Sequence, residues 1–372
     1  AMRNLLGRTW METLECIEIG QLDCFGLWFR LQVGERWLDT MHGDTCWEQA
    51  IYPVSSRLLK KGELVQLDIK CGDHISITAA NPLASNIIQL ELQEDIIPIL
   101  NESFTSLSQV ADVTHLPQRA NILDISTVPI LGLLFLQKDV KSQLTTIAGH
   151  SSPLVEAFLK KHGLRNHHEV ASMDSLDCKL PMFNVLVTDV WDASGNMQTS
   201  LFEHVAVLRS QALKGNGVML PATCSIQAVL IESTTLEAES RVVSDENTLG
   251  WRVASCLNNW SQVSCHQDIC LSTMPHRALC AAFKLFHVDF SRVQGTVTAE
   301  QRVQITERGF ISACLYWFEA HYPSGQVATN YGRGCHLLQA AVVLPESIRV
   351  ECGQYVTVAA SCEGGRIQLK VE

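Results

Sequence analysis

The side chains best placed for chemistry in this sequence stand where its apolar runs stop. ANILDIS (Ala120 to Ser126) carries Asp124, LTTIAG (Leu144 to Gly149) runs into His150, and FNVLVTDVW (Phe183 to Trp191) carries Asp189, with Glu203 in a helical stretch beyond it. In an open α/β sheet such residues lie at the carboxyl ends of strands, where a nucleoside cofactor binds. That chemistry asks for a glycine-rich turn that bares backbone N–H groups at a helix N-terminus, and for an acid after the second strand to hold the ribose. Neither is present. The first turn reads Leu123-Asp124-Ile125-Ser126-Thr127-Val128-Pro129-Ile130, no glycine follows until Gly132, and Pro129 removes a donor. Gly149 stands where the ribose acid is expected. These residues predict a sheet kept for packing, its pocket filled by side chains. Asp189 then reads as a strand-end turn former, and Glu203 as an acid that complements a helix dipole.

The elements that position these residues alternate. After the ANILDIS strand come a helical-period run (Ile130 to Lys141), the LTTIAG strand, a helix (Pro153 to His162), the strand from Phe183, a helix (Ser200 to Lys214) and the strand GVMLPA (Gly217 to Ala222). Strand–helix alternation predicts a parallel sheet with crossover helices. The chain on either side reads differently. LECIEIG, GLWFRLQV, CWEQAIYPV, ELVQLDIKC and HISITA follow one another before Ala80 as strands with turn residues between them.

Those early strands recur near the other end. Thr45-Cys46-Trp47-Glu48-Gln49-Ala50 and Cys335-His336-Leu337-Leu338-Gln339-Ala340 sit in matching surroundings: GLWFRLQV precedes one and CLYWFEAHY the other, and KKGELVQLDIK answers ECGQYVTVAA downstream. The period is far longer than a solenoid repeat, so one all-β unit occurs twice. Trp47 and Gln49 are read evenly as site residues or as a core aromatic and a strand-capping amide, and His336 beside two leucines as a core histidine.

With 372 residues and 47% apolar content the chain can fill the cores of two or three domains. A net charge of −11 argues against nucleic acid as a direct partner and permits a basic one. No apolar run reaches the ~20 residues that cross a bilayer, which excludes a helical membrane span. The 14 cysteines contain no C-x-x-C pair, and no leader-like segment opens the chain, so a reducing compartment is expected, the cytoplasm with the nucleus as a second location. Cys256, Cys265, Cys270 and Cys280 with His266 and His276 lack the paired spacing of structural zinc sites and read as buried thiols. No metal is expected. Ala1-Met2 reads as an internal start, so the chain is expected to begin inside something larger.

In its order along the chain, an α/β methyltransferase-type domain followed by a β-barrel with a Trp-x-Gln loop, the sequence resembles the protein arginine methyltransferases. The resemblance covers nearly the whole chain and is greatest to a tandem-module member. In that family the first strand and turn run V-L-D-x-G-x-G-x-G. Here Leu123 and Asp124 are retained, Ser126, Val128 and Ile130 replace the glycines, and Gly149 replaces the ribose-binding glutamate. The stretch Leu186 to Val205 looks like the family's double-glutamate loop, with Asp189 first and Glu203 at or beside the second position; two carboxylates there clamp the substrate guanidinium. The barrel loop T-H-W-x-Q is matched by Trp47 and Gln49 in one copy and by His336 and Gln339 in the other.

The resemblance implies five segments: 1–80, the end of a first-module β-barrel; 81–117, a linker with one short helix; 118–235, a degenerate Rossmann-like methyltransferase domain; 236–274, a connector; and 275–372, the second-module β-barrel. It implies methyl transfer from S-adenosylmethionine to protein arginines in the parent protein, with symmetric dimethylation as product. The second module is expected to bind no cofactor and to partner the first methyltransferase module of the same chain. The alternative is a module that keeps nucleoside or methyl-donor binding as a weak enzyme or sensor. Val128 and Ile130 discriminate, since side chains in the pocket leave no room.

Overall fold

A computed structural model describes residues 8–41, 49–71, 75–79, 100, 107–112, 115–149, 151–172, 175–176, 182–189, 197, 199–248, 250–260, 265–271, 273–292, 296–332, 337–363 and 366–372. The chain divides into two compact units, Ala1–Gln89 and Leu90–Glu372. Most of the segment 81–117 lies outside the described residues, apart from residue 100, a helical stretch over 107–112 and the residues from 115.

The first unit holds β1 (Arg8–Glu15), β2 (Gly20–Leu27), β3 (Arg30–Val33), β4 (Arg36–Asp39), β5 (Ala50–Leu59), β6 (Leu64–Cys71) and β7 (Ile75–Ala79). They form a three-stranded sheet β1-β6-β7 and the pairs β2-β5 and β3-β4. Alternation is clean in β6, where Val65 and Leu67 are buried and their neighbours exposed, as a strand with one wet face requires.

The second unit opens with β8 (Asn121–Asp124), α1 (Ile130–Lys138), β9 (Gln143–Ile147), α2 (Ser152–His162), β10 (His167–Val170), β11 (Phe183–Val187), α3 (Thr199–Gln211) and β12 (Leu213–Leu220). The five strands pair in parallel in the order β10-β9-β8-β11-β12, so the Rossmann-like sheet expected from the alternation is present. Both of its faces are buried. Ile122, Val185 and Val187 pack with Leu131, Phe135 and Leu136 of α1; Leu123 and Leu186, on the opposite face, join Val205 and Leu208 of α3. Each such side chain contributes about 1.5–3 kcal/mol when fully removed from water. At the end of α2, Gly163 takes φ +66 and the last turn holds Lys160, Lys161 and His162, which complement the helix dipole.

The remainder is β13 (Thr223–Glu232), α4 (Thr234–Ser240), α5 (Ala254–Trp260), β14 (Cys265–Ile269), β15 (Arg277–Ala278), β16 (Phe283–Asp289), β17 (Val297–Gln304), β18 (Gly309–His321), β19 (Val327–Thr329), β20 (Gln339–Val350), β21 (Tyr355–Glu363) and β22 (Arg366–Val371). Seven strands form one antiparallel sheet built around β14-β20-β18-β13-β15, and β17-β21-β22 form another. One core joins both sheets to the α3 face of the parallel sheet. Two strands differ from the sequence reading. Thr223–Glu232, inside the stretch 118–235, is central to the antiparallel sheet, because a continuous apolar run has the same pattern in any strand buried on both faces. Cys265–Ile269, inside the expected connector, pairs with β20.

The duplication read from sequence is repeated in backbone detail within each unit. The order β1-β6-β7 matches β17-β21-β22. Gly62 and Gly353 take φ +82 and +85 in the equivalent turns, where the Gly62 N–H donates to Cys16 O at 2.7 Å and the Gly353 N–H to Ile305 O at 2.8 Å. Register irregularities also correspond, between Leu22 and Cys24 in β2 and between Ile311 and Ala313 in β18.

Candidate functional site

The parallel sheet reverses strand order between β8 and β11, and the crevice at the carboxyl ends of these two strands is where an open α/β sheet takes a ligand. Asp124 closes β8 there with no solvent exposure. Its Oδ1 accepts the Ser126 N–H at 3.0 Å, and its Oδ2 accepts the Gly132 N–H at 2.9 Å. The carboxylate thus ties the turn to the first turn of α1. Gly132 is needed for this approach: a Cβ there would lie 2.6 Å from Leu144 Cδ1 and 2.8 Å from Asp124 Oδ2. Burial raises the Asp124 carboxyl from 3.8 to about 6, against the hydrogen bonds from Ser126 and Gly132, which lower it.

Asp189 follows β11 and is turned the same way. The Thr127 N–H donates to Asp189 Oδ2 at 2.6 Å, and the Ile125 N–H donates to Val187 O at 2.9 Å. The turn after β8 is stitched along the end of β11. Val128 and Ile130 are buried against Leu100, Leu107, Leu134 and Leu154, and so supply apolar filling where glycines would leave bare backbone. Glu203 lies in α3; its side chain is outside the described residues.

Gly149 is exposed. Its N–H donates to Ser152 Oγ at 3.0 Å, and that hydroxyl donates to Glu169 Oε1 at 2.6 Å. Glu169, on β10, is a carboxylate beside this edge that the sequence reading missed; its position in the third strand gave no signal.

Tyr322, directly after β18, was missed as well. It packs against both cores of the second unit. Burial, then the charges of Asp189 and Asp124, push its phenol well above its ordinary value. Only the fold brings these residues together. The N–H groups of Ser126, Thr127 and Gly132 are all directed at the carboxylates of Asp124 and Asp189.

The loop glutamines have defined work. Gln49 Nε2 donates to Thr40 O and Gln339 Nε2 to Asn330 O, each across nine residues. Thr40 and Asn330 are both fully buried, and each accepts a backbone N–H from a neighbouring segment: the Phe29 N–H donates to Thr40 Oγ1 at 3.0 Å, and the Phe318 N–H, within β18, to Asn330 Oδ1 at 2.8 Å. Gln339 also donates to Leu337 O at 2.7 Å and accepts the Leu271 N–H at 3.1 Å. Both glutamines are therefore loop clasps. Trp47 and His336 lie outside the described residues.

Among the described residues no three His, Cys, Asp or Glu side chains come together as a metal-binding set. Of the cysteine group, Cys280 is buried, Cys270 is half-buried and Cys256 is exposed, which corrects the expectation that all were buried thiols: α5 is a short surface helix whose Cys256 faces water. No helix among the described residues is long and apolar enough to cross a membrane.

Comparison with known proteins agrees with this architecture. A scan against protein-family models finds no match. Protein arginine N-methyltransferase 9 of Xenopus laevis is 23% identical over 439 residues, covering 95% of this chain and 53% of that protein. The chain resembles the protein arginine methyltransferases. The mouse protein arginine N-methyltransferase 9 is 22% identical over 448 residues, with 96% and 53% covered, so the chain spans about half the length of these relatives. Protein arginine N-methyltransferase 9 is the member of that family towards which the sequence motifs pointed. An arginine Nω-methyltransferase of Streptomyces achromogenes subsp. streptozoticus is 27% identical over 175 residues, covering 46% of each chain. Among solved structures, the Trypanosoma brucei PRMT1 enzyme–prozyme heterotetrameric complex with AdoHcy matches with a TM-score of 0.62 at 13% identity, covering 74% of this chain and 91% of that one. That likeness shows a methyltransferase fold.

Proposed function

We propose that this chain is part of a protein arginine methyltransferase of tandem-module type, and that its second unit is a non-catalytic partner for a first methyltransferase module. The parent protein would transfer methyl groups from S-adenosylmethionine to protein arginines, with symmetric dimethylation as product, in the cytoplasm and with the nucleus as a second location. The supporting observation is the closed turn: Asp124 and Asp189, the carboxylates best placed for cofactor and substrate, both accept backbone N–H groups of the turn itself. On this reading the antiparallel strands of 275–372 close as a β-barrel, residues 1–80 end the barrel of the first module, and 81–117 links the two modules.

The partner role also has a surface. Between β13 and β14 the insertion carrying α4 and α5 leaves Trp251 72% exposed, with Val243 and Leu257 exposed nearby in sequence. Large apolar side chains left in water on one insertion are what a contact surface would cover. Its occupant on this reading is the first module of the same chain. The first unit likewise exposes Met11, Ile17 and Ile51, which the remainder of that module would cover.

The test is a thermal-unfolding titration with S-adenosylmethionine and S-adenosylhomocysteine. A ligand selective for the folded state raises stability by about 2.7 kcal/mol at a hundredfold excess over its Kd. No shift at millimolar ligand is the expected result. A saturable shift would replace the non-catalytic reading with the sensor or weak-enzyme alternative.

A further inference from the structure

The end of the parallel sheet opposite the switch point holds a cavity of about 540 Å³ with a mixed lining: Leu116, Phe135 and Val140 are apolar, and Arg119, Lys138 and Lys141 are cationic. One carboxylate sits among the cations. Asp139 Oδ2 accepts the Arg119 N–H at 2.8 Å and the Ser142 hydroxyl at 3.0 Å, and its Oδ1 accepts the Lys141 N–H at 3.0 Å. The carboxylate is thereby occupied with backbone and hydroxyl donors. Lys138 is paired with Asp112 at 3.2 Å. The guanidinium of Arg119 and the ammonium of Lys141 make no hydrogen bond or close ion pair with any described residue.

Arg119 is also a backbone outlier. At φ +58 it is the one positive-φ residue other than glycine among the described residues. That conformation is disfavoured for any residue with a Cβ and free for glycine. An arginine held there, its N–H locked on Asp139, is exposed and is part of the cavity lining.

We propose that this cavity binds a small ligand carrying a phosphate or diphosphate, with the phosphate on Arg119 and Lys141 and an apolar or heteroaromatic body over Leu116, Phe135 and Val140. The planar guanidinium fork matches phosphate oxygens two at a time. The volume is that of a small-molecule site and not of a flat protein face. The overall charge of −11 supplies no long-range field to hold a polyanion such as nucleic acid, so a compact anion held locally is favoured.

The test compares wild type with Arg119→Gly by isothermal titration with ADP and with pyrophosphate, alongside ligand-free thermal unfolding. ADP should bind saturably, and Arg119→Gly should weaken it by roughly tenfold or more, the loss of one bidentate charge-assisted contact. The unliganded variant should melt no lower than wild type, since glycine relieves the left-handed backbone. Pyrophosphate should bind more weakly than ADP; equal binding would overturn the contact assigned to the body. ADP binding that survives Arg119→Gly, or that sodium sulfate at equal ionic strength reproduces, would overturn the site itself. If Arg119→Gly melts lower than wild type, the same binding comparison is made with Lys141→Gln.

Discussion

The Thr127 N–H donates a 2.6 Å hydrogen bond to Asp189 Oδ2, joining the turn after β8 to the end of β11 across the point where the sheet reverses strand order. In a ligand site both groups would face the crevice, one as an anion-binding amide and the other as a carboxylate for a cation. Here each satisfies the other. The turn is closed by its own residues, and Tyr322, whose phenol is raised by burial and then by the charges of the same two carboxylates, packs against both cores of the unit.

Removing this clasp should cost little stability. Thr127 is exposed, so water can replace the lost acceptor, and Asp189→Ala is expected to destabilise the chain by about 1 kcal/mol. Urea unfolding measures this. A loss several times larger would mean that Asp189 weighs more in the fold than one exposed hydrogen bond does.

Asp124 makes a prediction in pH. Its carboxyl is raised from 3.8 to about 6 by burial, so between these values the folded state holds the proton and the unfolded state does not. The stabilisation is complete below about pH 3.8 and is lost as pH rises through about 6. A shift of this size corresponds to about 3 kcal/mol. Asp124→Asn has no proton to lose, so wild-type stability relative to this variant should fall from pH 4 to pH 7. His167 and His321, both lowered by burial, titrate in both proteins and cancel. A difference that stays flat across that range would remove Asp124 from the account.

Much of the fold was legible in the chain. The parallel sheet followed from alternation, and the duplication from two loops whose glutamines turn out to make the same bond to a buried Thr40 or Asn330. The β-branched residues 128 and 130 of the Asp124 turn are both buried among apolar side chains. What the sequence hid was long-range. Thr223–Glu232 has no period to separate a buried antiparallel strand from a parallel one, and Tyr322 reaches both cores only after the two layers pack.

The two glutamine clasps should differ in weight. Gln339 is buried and serves Asn330 O, Leu337 O and the Leu271 N–H at once. Gln339→Ala leaves these groups unsatisfied inside the loop and should cost about 3 kcal/mol. Gln49 is exposed and has a single such bond in the described residues, so Gln49→Ala should cost less than about 1 kcal/mol. Chemical denaturation of the two variants gives the comparison, and equal losses would mean that the clasps are not set apart by burial.

The proposed partner role predicts a separation of folding from activity. Trp251 is largely exposed on the insertion between β13 and β14, so a charge there disturbs little inside the second unit. Trp251→Glu should leave thermal stability within about 0.5 kcal/mol, the usual range for a surface substitution. In the parent protein it should abolish arginine methylation, because a desolvated carboxylate without a counter-charge at an apolar contact opposes association. Methylation of a protein substrate by wild type and variant, at equal folded concentration, is the deciding assay. Full activity in Trp251→Glu would show that this face does not hold the first module, whereas lost activity with unchanged melting separates the contact from the core.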